Sequence, residues 1–351
     1  MLVAVYTERK IAAFIQDRLG PMEVGYKGTL QTLADLLKLL QKETIIPQAA
    51  NKKLFVLAPI WIFITVVAGF IVMPVNNTWL GAPTHLGLLY LLAMASLKVV
   101  GILLAGWSSN NKFARLGALR AVAQFLAYEI PLGISVLCVV VVCRNLDLNA
   151  ISAYQGLGIY SLDPNHTPIS YFLGIKGLEV TRVGGLFSWN IFRMPCLTVA
   201  YIIFFISSLA TSNRIPFDLA EAESELVAGY HTEYSGLSWA WMMLSEYAML
   251  FLMGLFGVIL FLGGWNSLFP NIGPLKLALY TNGYPGTWVG SIWASFWLLV
   301  KTWVIILLQM WVKWTFPRLR TDQLIKFCWL YLIPLGLLTL LITIWWQFII
   351  L

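Results

Sequence analysis

Seven continuous apolar runs, at roughly 54–74, 84–106, 126–144, 194–211, 239–264, 287–312 and 327–350, constrain this chain more than any other feature. Each is close to the ~20 residues that a helix needs to cross a bilayer. With 59% of its 351 residues hydrophobic and only 11% charged, the chain reads as an all-α polytopic bundle, one integral membrane domain over residues 1–351 with no room for a separate soluble domain. Residues 1–6 are also apolar but cover only about a third of a bilayer. They read as the end of a further span, so an eight-helix bundle is expected with its first helix largely missing from this chain.

Charge gives the spans an orientation. Strict alternation puts residues 7–53, 107–125, 212–238 and 313–326 on one side, and these hold 16 of the 23 Lys and Arg residues. By the positive-inside rule that side is cytoplasmic or its equivalent. The segment 145–193 then forms an outer loop, polar and turn-rich (Asp163-Pro164-Asn165, Gly184-Gly185). Within the inner loop 7–53, Leu30, Leu33, Leu36, Leu37 and Leu40 recur at 3- and 4-residue spacing and predict an amphipathic helix over Thr29–Leu40. Two roles stay open for it, an anchor in the membrane surface or the wall of a cavity.

The chemistry concentrates in the inner acidic loop 212–238, where Asp218, Glu221, Glu223 and Glu225 place four carboxylates in eight residues. On a helix, 218, 221 and 225 would share a face, and Asp218 with Glu221 also fits a capping box. Glu223, Glu225 and the later Glu233 are not explained by capping; a solvated acidic loop is the bland alternative. Lys98, Glu129, Glu246 and Lys301 fall within or at the edge of spans. Charge facing lipid at mid-depth costs at least about 2.5–3.5 kcal/mol, so these side chains are expected to face the interior. Glu129 and Glu246 could extend the loop acids into a proton or ion relay, with Lys301 as a continuation. Snorkelling to the interface is the alternative. No nucleotide-binding loop, dinucleotide fingerprint or metal-spaced histidine pair occurs. Cys138, Cys143, Cys196 and Cys328 lack metal spacing and read as small apolar fillers. No flavin, haem or iron-sulfur centre is expected in this chain, so any redox role uses a partner's cofactors.

Seven blocks in order carry a resemblance over essentially the whole chain. They are Thr7-Glu8-Arg9-Lys10, Arg18-Leu19-Gly20-Pro21, Leu30-Gln31-Thr32-Leu33-Ala34-Asp35 with Lys42-Glu43, Gly106-Trp107-Ser108-Ser109-Asn110-Asn111-Lys112, Gly117–Gln124 with Tyr128-Glu129, Arg214–Ser235, and Pro317–Gln323. The chain resembles the H subunit, or subunit 1, family of proton-pumping NADH:quinone oxidoreductase, respiratory complex I. The resemblance implies a transmembrane translocase subunit of an electron-transport complex, inactive alone and non-redox itself. A quinone, ubiquinone or menaquinone, would be the bound substrate, with Arg18, Asp35, Arg214 and Phe217 as lining or docking positions. Asp218, Glu221, Glu223, Glu225, Glu129, Tyr128 and Glu246 would begin the acidic path that couples quinone reduction to proton transport. Implied partners are the peripheral-arm quinone-site and iron-sulfur subunits, adjacent membrane subunits and lipid, with no nucleic acid. The long outer loop suggests a bacterial inner (plasma) membrane rather than a mitochondrion. Two departures stand out. Thr211 occupies a position where the family usually has Glu, and a short first helix would leave one wall of a quinone entrance open to lipid. The equivalent subunit of a membrane-bound hydrogenase and a stand-alone ion transporter are the competing readings.

Overall fold

Helices that are apolar all round must bury against each other or face lipid, and the chain forms such a bundle. The computed structural model describes residues 1–76, 78–156, 171–176, 180–220, 223–271, 276–282 and 286–350. Among them, six helical segments are long and apolar enough to cross a membrane: α3 (Lys52–Phe70), α4 (Gly87–Ser108), α5 (Lys112–Cys143), α11 (Gly236–Phe261), α13 (Trp288–Thr315) and Thr321–Ile349. The last consists of α14 (Thr321–Phe327), a π-helical turn at Cys328–Leu332 and α15 (Ile333–Ile350). The apolar run expected at 194–211 folds as α9 (Pro195–Thr211), a shorter helix of 17 residues, about 25 Å long. Neighbours in the bundle are α3 with α4, α4 with α5, α5 with α9 and α15, and α11 with α3, α9 and α13. The main core gathers around α11, the most enclosed span.

Shorter elements close the ends. Helix α1 (Leu2–Ile15) holds the apolar residues 2–6 and, in its second turn, Glu8, whose carboxylate is buried against cations. The amphipathic helix is observed as α2 (Gln31–Gln41). The described parts of the segment 145–193 hold α6 (Leu148–Tyr154), α7 (Val180–Val183), α8 (Asn190–Arg193) and a two-residue antiparallel pairing of Tyr171–Phe172 with Ile175–Lys176. α10 (Glu223–Leu226) lies in the acidic segment, and α12 (Leu277–Asn282) precedes α13.

Helix α5 shows how local chemistry and packing meet. Pro131 sits inside this 32-residue helix, and a proline there removes the hydrogen bond to the carbonyl four residues earlier. That carbonyl belongs to Ala127, and the Cys328 thiol donates to it at 3.0 Å. Cys328 is therefore more than the apolar filler expected from its setting.

The segments 7–53, 107–125, 212–238 and 313–326 touch one another. Ile45 N–H donates to the Ser235 hydroxyl and Asn51 N–H to the Ser108 carbonyl. Leu319 N–H donates to the Pro216 carbonyl, and Arg120 pairs with Glu225. These segments carry the candidate site.

Candidate functional site

Helix α2 builds one wall of a cavity of about 420 Å³, with α1 and the start of α11 forming the others. Thr32, Asp35, Leu36, Leu39 and Leu40 line it, spaced so that they fall on one helical face. Leu33 and Leu37 stay exposed on the other, as does Leu30 just before the helix. The helix thus has apolar side chains on two faces, one toward a cavity and one outward, which is why its leucine pattern is compatible with both roles. Leu2 and Val5 from α1 and Trp239, Trp241 and Tyr247 from α11 complete a mostly apolar chamber. Its charged features are Arg9 and Asp35, the guanidinium meeting the carboxylate at 2.5 Å while Gln31 donates to the other carboxylate oxygen at 3.0 Å. A chamber of this size with few polar groups suits an apolar ligand bearing a small polar head.

Behind Tyr247 lies a buried charge cluster. Glu8, only 4% exposed, accepts from Arg214 Nη1 at 3.0 Å through both oxygens and from the Lys313 ammonium. The Arg214 guanidinium packs 4.3 Å from the centre of the Tyr247 ring. Burial works against the charge on Arg214, but Glu8, with Tyr247 and Glu246, more than offsets it, so the guanidinium holds its proton more tightly than usual. The preceding residue in α11, Glu246, is 5% exposed and points into the bundle. It accepts from the Tyr230 hydroxyl at 2.8 Å and from Asn213 Nδ2 at 3.4 Å, and His231 Nε2 stands 3.7 Å away. Lys98 and Arg214 also act on this carboxylate electrostatically, and the Lys98 ammonium lies over the Phe125 ring at 5.2 Å. Chamber and interior therefore meet at adjacent residues, Tyr247 on one side and Glu246 on the other.

Glu129, half-buried on α5, accepts from the Ser96 hydroxyl of α4. Both border a cavity of about 20 Å³ that Thr211, Phe125, Met249 and Met253 also line, room for about one water molecule. Thr211, which stands where the resemblance leads one to expect a glutamate, thus faces the same small space as Glu129.

The acidic loop departs from its expected form. Residues 217–220 are not helical, and Phe217, Leu219 and Ala220 are all buried. Asp218 therefore does not cap a helix, and the shared face expected of 218, 221 and 225 rests on Glu221, which lies outside the described residues; the four-residue helix α10 spans Glu223–Leu226. Asp218 is half-buried. Glu221 and the side chain of Glu223 lie outside the described residues. Glu225 is exposed and bound to Arg120 Nη1 at 2.5 Å, and that hydrogen bond and charge hold its carboxyl below the ordinary range.

The remaining sequence-predicted residues are spread around this end of the bundle. Asp35 lines the chamber. Arg18 is exposed, in the turn after α1. Arg214 reaches the chamber wall through Tyr247. Phe217 packs against Tyr128 at 5.1 Å between ring centres and borders a separate apolar groove of about 620 Å³ with Phe205, Phe316 and Tyr331. The Tyr128 hydroxyl donates to the Leu324 carbonyl at 3.1 Å. Lys301 does not extend the path from Glu246. Its ammonium donates to the Leu262 carbonyl at 2.8 Å, about 24 Å further along α11 by helical rise, and it lies 4.6 Å from the Trp189 ring. Sequence reasoning missed Glu8, Lys313, Arg9, His231 and Ser96 as members of the site. A carboxylate in a helix next to an apolar stretch could have singled out Glu8; nothing local marks Ser96.

Comparison with known proteins is consistent across nearly the whole chain. A family model described as NADH dehydrogenase matches residues 1–344. The chain is 52% identical over 344 residues to the NADH-quinone oxidoreductase H 2 subunit of Cytophaga hutchinsonii, covering 97% of this chain and 93% of that protein. It is 45% identical over 342 residues to the NADH-quinone oxidoreductase H subunit of Chlorobaculum parvum, covering 97% and 86%. With the corresponding H subunit of a Geobacillus species it shares 41% identity over 340 residues, 97% and 87% of the two chains.

Proposed function

Because the chain belongs to the NADH dehydrogenase family, we infer that it is the integral membrane subunit, of the H type, of an NADH-quinone oxidoreductase in a bacterial inner membrane. In this reading the quinone enters between apolar helices and occupies the chamber walled by α1, α2 and α11. Its electrons come from cofactors of neighbouring subunits. The names of the relatives favour this over a hydrogenase component or a stand-alone transporter.

The observation that carries the proposal is the contact of the chamber with buried charge through Tyr247 and Arg214. Reduction of a quinone adds negative charge beside a water-poor wall, and the field of that charge is weakly screened there. Arg214 and Lys313 shift their attraction between the reduced head group and Glu8, and protons redistribute among Glu246, Glu129 and the acids of the inner loop. At Thr211 a hydroxyl and one water, in the cavity of about 20 Å³, stand in for the carboxylate usual in the family.

Filling the chamber tests this in the assembled complex. Leu36→Trp and Val5→Trp are expected to raise the KM for a short-chain quinone about tenfold, roughly 1.4 kcal/mol of binding. NADH oxidation by a water-soluble artificial acceptor at the peripheral arm should stay unchanged. Unaltered quinone kinetics in both variants would show that the chamber is not the quinone site.

A further inference from the structure

The histidine beside Glu246 has no part in the coupling scheme proposed for the chamber, and its placement gives it one. His231 ends the 3-10 turn Gly229–His231, which is wedged against α5. A Cβ added to Gly117 of α5 would come within 2.8 Å of Gly229 Cα, so the backbone contact holds the turn in place. The imidazole is 4% exposed and lies against the Tyr230 ring, 4.0 Å between centres and tilted by 36°. Its Nε2 is 3.7 Å from Glu246 Oε1, the same oxygen that the Tyr230 hydroxyl and Asn213 hold.

We propose that His231 and Glu246 act as one proton-sharing pair, with His231 the positioning and exchange partner that determines when Glu246 holds a proton. This deepens the proposed function and rests on it. A distance of 3.7 Å is beyond ordinary hydrogen-bond range, so the contact is made or broken by a small side-chain rotation, and its strength depends on charge. With a neutral imidazole the pair is loose. When a hydronium ion gives its proton to Nδ1 and leaves as water, the imidazolium draws the carboxylate in. The N–H bond at Nε2 then breaks as an O–H bond forms on Glu246 Oε1, leaving neutral imidazole and a protonated acid; no electrons move. The charged and titratable groups acting on the pair are Lys98 from α4, Arg214 from the turn after α9 with Glu8 behind it, and Tyr230 from the same turn as the histidine. α5 meets that turn at Gly117. Quinone charge in the chamber that draws on Arg214 removes positive potential from Glu246, which favours its protonated form. Imidazole is the side-chain type whose unperturbed pKa falls in the physiological range, which suits it to this exchange.

The test compares His231→Gln and Glu246→Gln in the assembled complex, reading quinone-reductase turnover, proton pumping and the pH profile from about pH 5 to 8. Glutamine keeps an amide at the imidazole's reach but cannot titrate. The expected result is a loss of coupled turnover of about tenfold in His231→Gln with a flattened pH profile, while assembly and artificial-acceptor activity persist. A wild-type pH profile and pumping ratio in His231→Gln, with Glu246→Gln impaired, would overturn this inference and leave the proposed function intact. Wild-type behaviour of Glu246→Gln together with both chamber-filling variants would overturn the function itself. If His231→Gln fails to assemble, His231→Asn is read by the same criteria.

Discussion

Removing the Glu8 carboxylate is the sharpest perturbation that the structure offers. Glu8→Gln preserves shape and leaves Arg214 and Lys313 as two cations with no shared anion between them. Their side chains are 7% and 21% exposed, so Lys313 can turn partly to water but Arg214 cannot. At the observed 3.0 Å between Arg214 and Glu8, Coulomb attraction with an effective dielectric of about 20 is about 5.5 kcal/mol. Much of that offsets desolvation, and breaking a buried pair by removing one partner costs about 3–5 kcal/mol. The lower end, about 3 kcal/mol, applies here because Lys313 relaxes toward solvent. Arg214→Met removes the trapped cation instead and leaves Glu8 with Lys313. The double variant removes both members of the buried pair, so it should be less harmful than the two single effects combined, with a coupling of about 2 kcal/mol. The assay is the rate of thermal inactivation of quinone reduction in the assembled complex, a kinetic measure suited to a protein that does not refold reversibly. Purely additive logarithms of the inactivation rates across the cycle would refute the argument that these charges stabilise one another.

Two further expectations concern contacts that hold the site's end of the bundle. Cys328→Ala leaves the Ala127 carbonyl, freed by Pro131, without its donor, and should cost about 1 kcal/mol; Cys328→Ser should restore most of it, as compared by inactivation midpoints of the complex. Glu225 carries a carboxyl held below the ordinary range by Arg120, so the stabilisation from this pair is fully present above the unfolded glutamate pKa, near ~4.3, and is lost as pH falls through the lower folded value. In Arg120→Gln that acid-dependent loss should vanish, measured as limited proteolysis of the 212–238 segment against pH; an identical pH dependence in wild type and variant would contradict the pairing.

What could be read from residues alone follows from short-range rules. Hydropathy places the spans because lipid demands runs of a given length, and the leucine spacing places α2 because a helix has one period. The acidic segment stands out by density of charge. Asp218 does not cap a helix there, because the segment 217–220 is non-helical and tucks Phe217, Leu219 and Ala220 into the bundle, a tertiary preference that a local capping pattern does not show. Lys301 resembles a neighbour of the acids by residue type but sits at the other end of α11, a separation that depends on how helices are shifted along one another.

The chain's apolar periodicity and charge asymmetry thus determined by themselves that this is an all-α membrane bundle with a basic end carrying a cluster of acids. Only the tertiary structure decided that Glu8 from the first helix meets Arg214 and Lys313, residues over two hundred positions away, and that His231 stands beside Glu246. Hydropathy is a property of each segment by itself. Pairing of buried charges depends on which helix faces which, and the cost of an uncompensated ion in a low-dielectric interior selects that arrangement only once the helices are assembled.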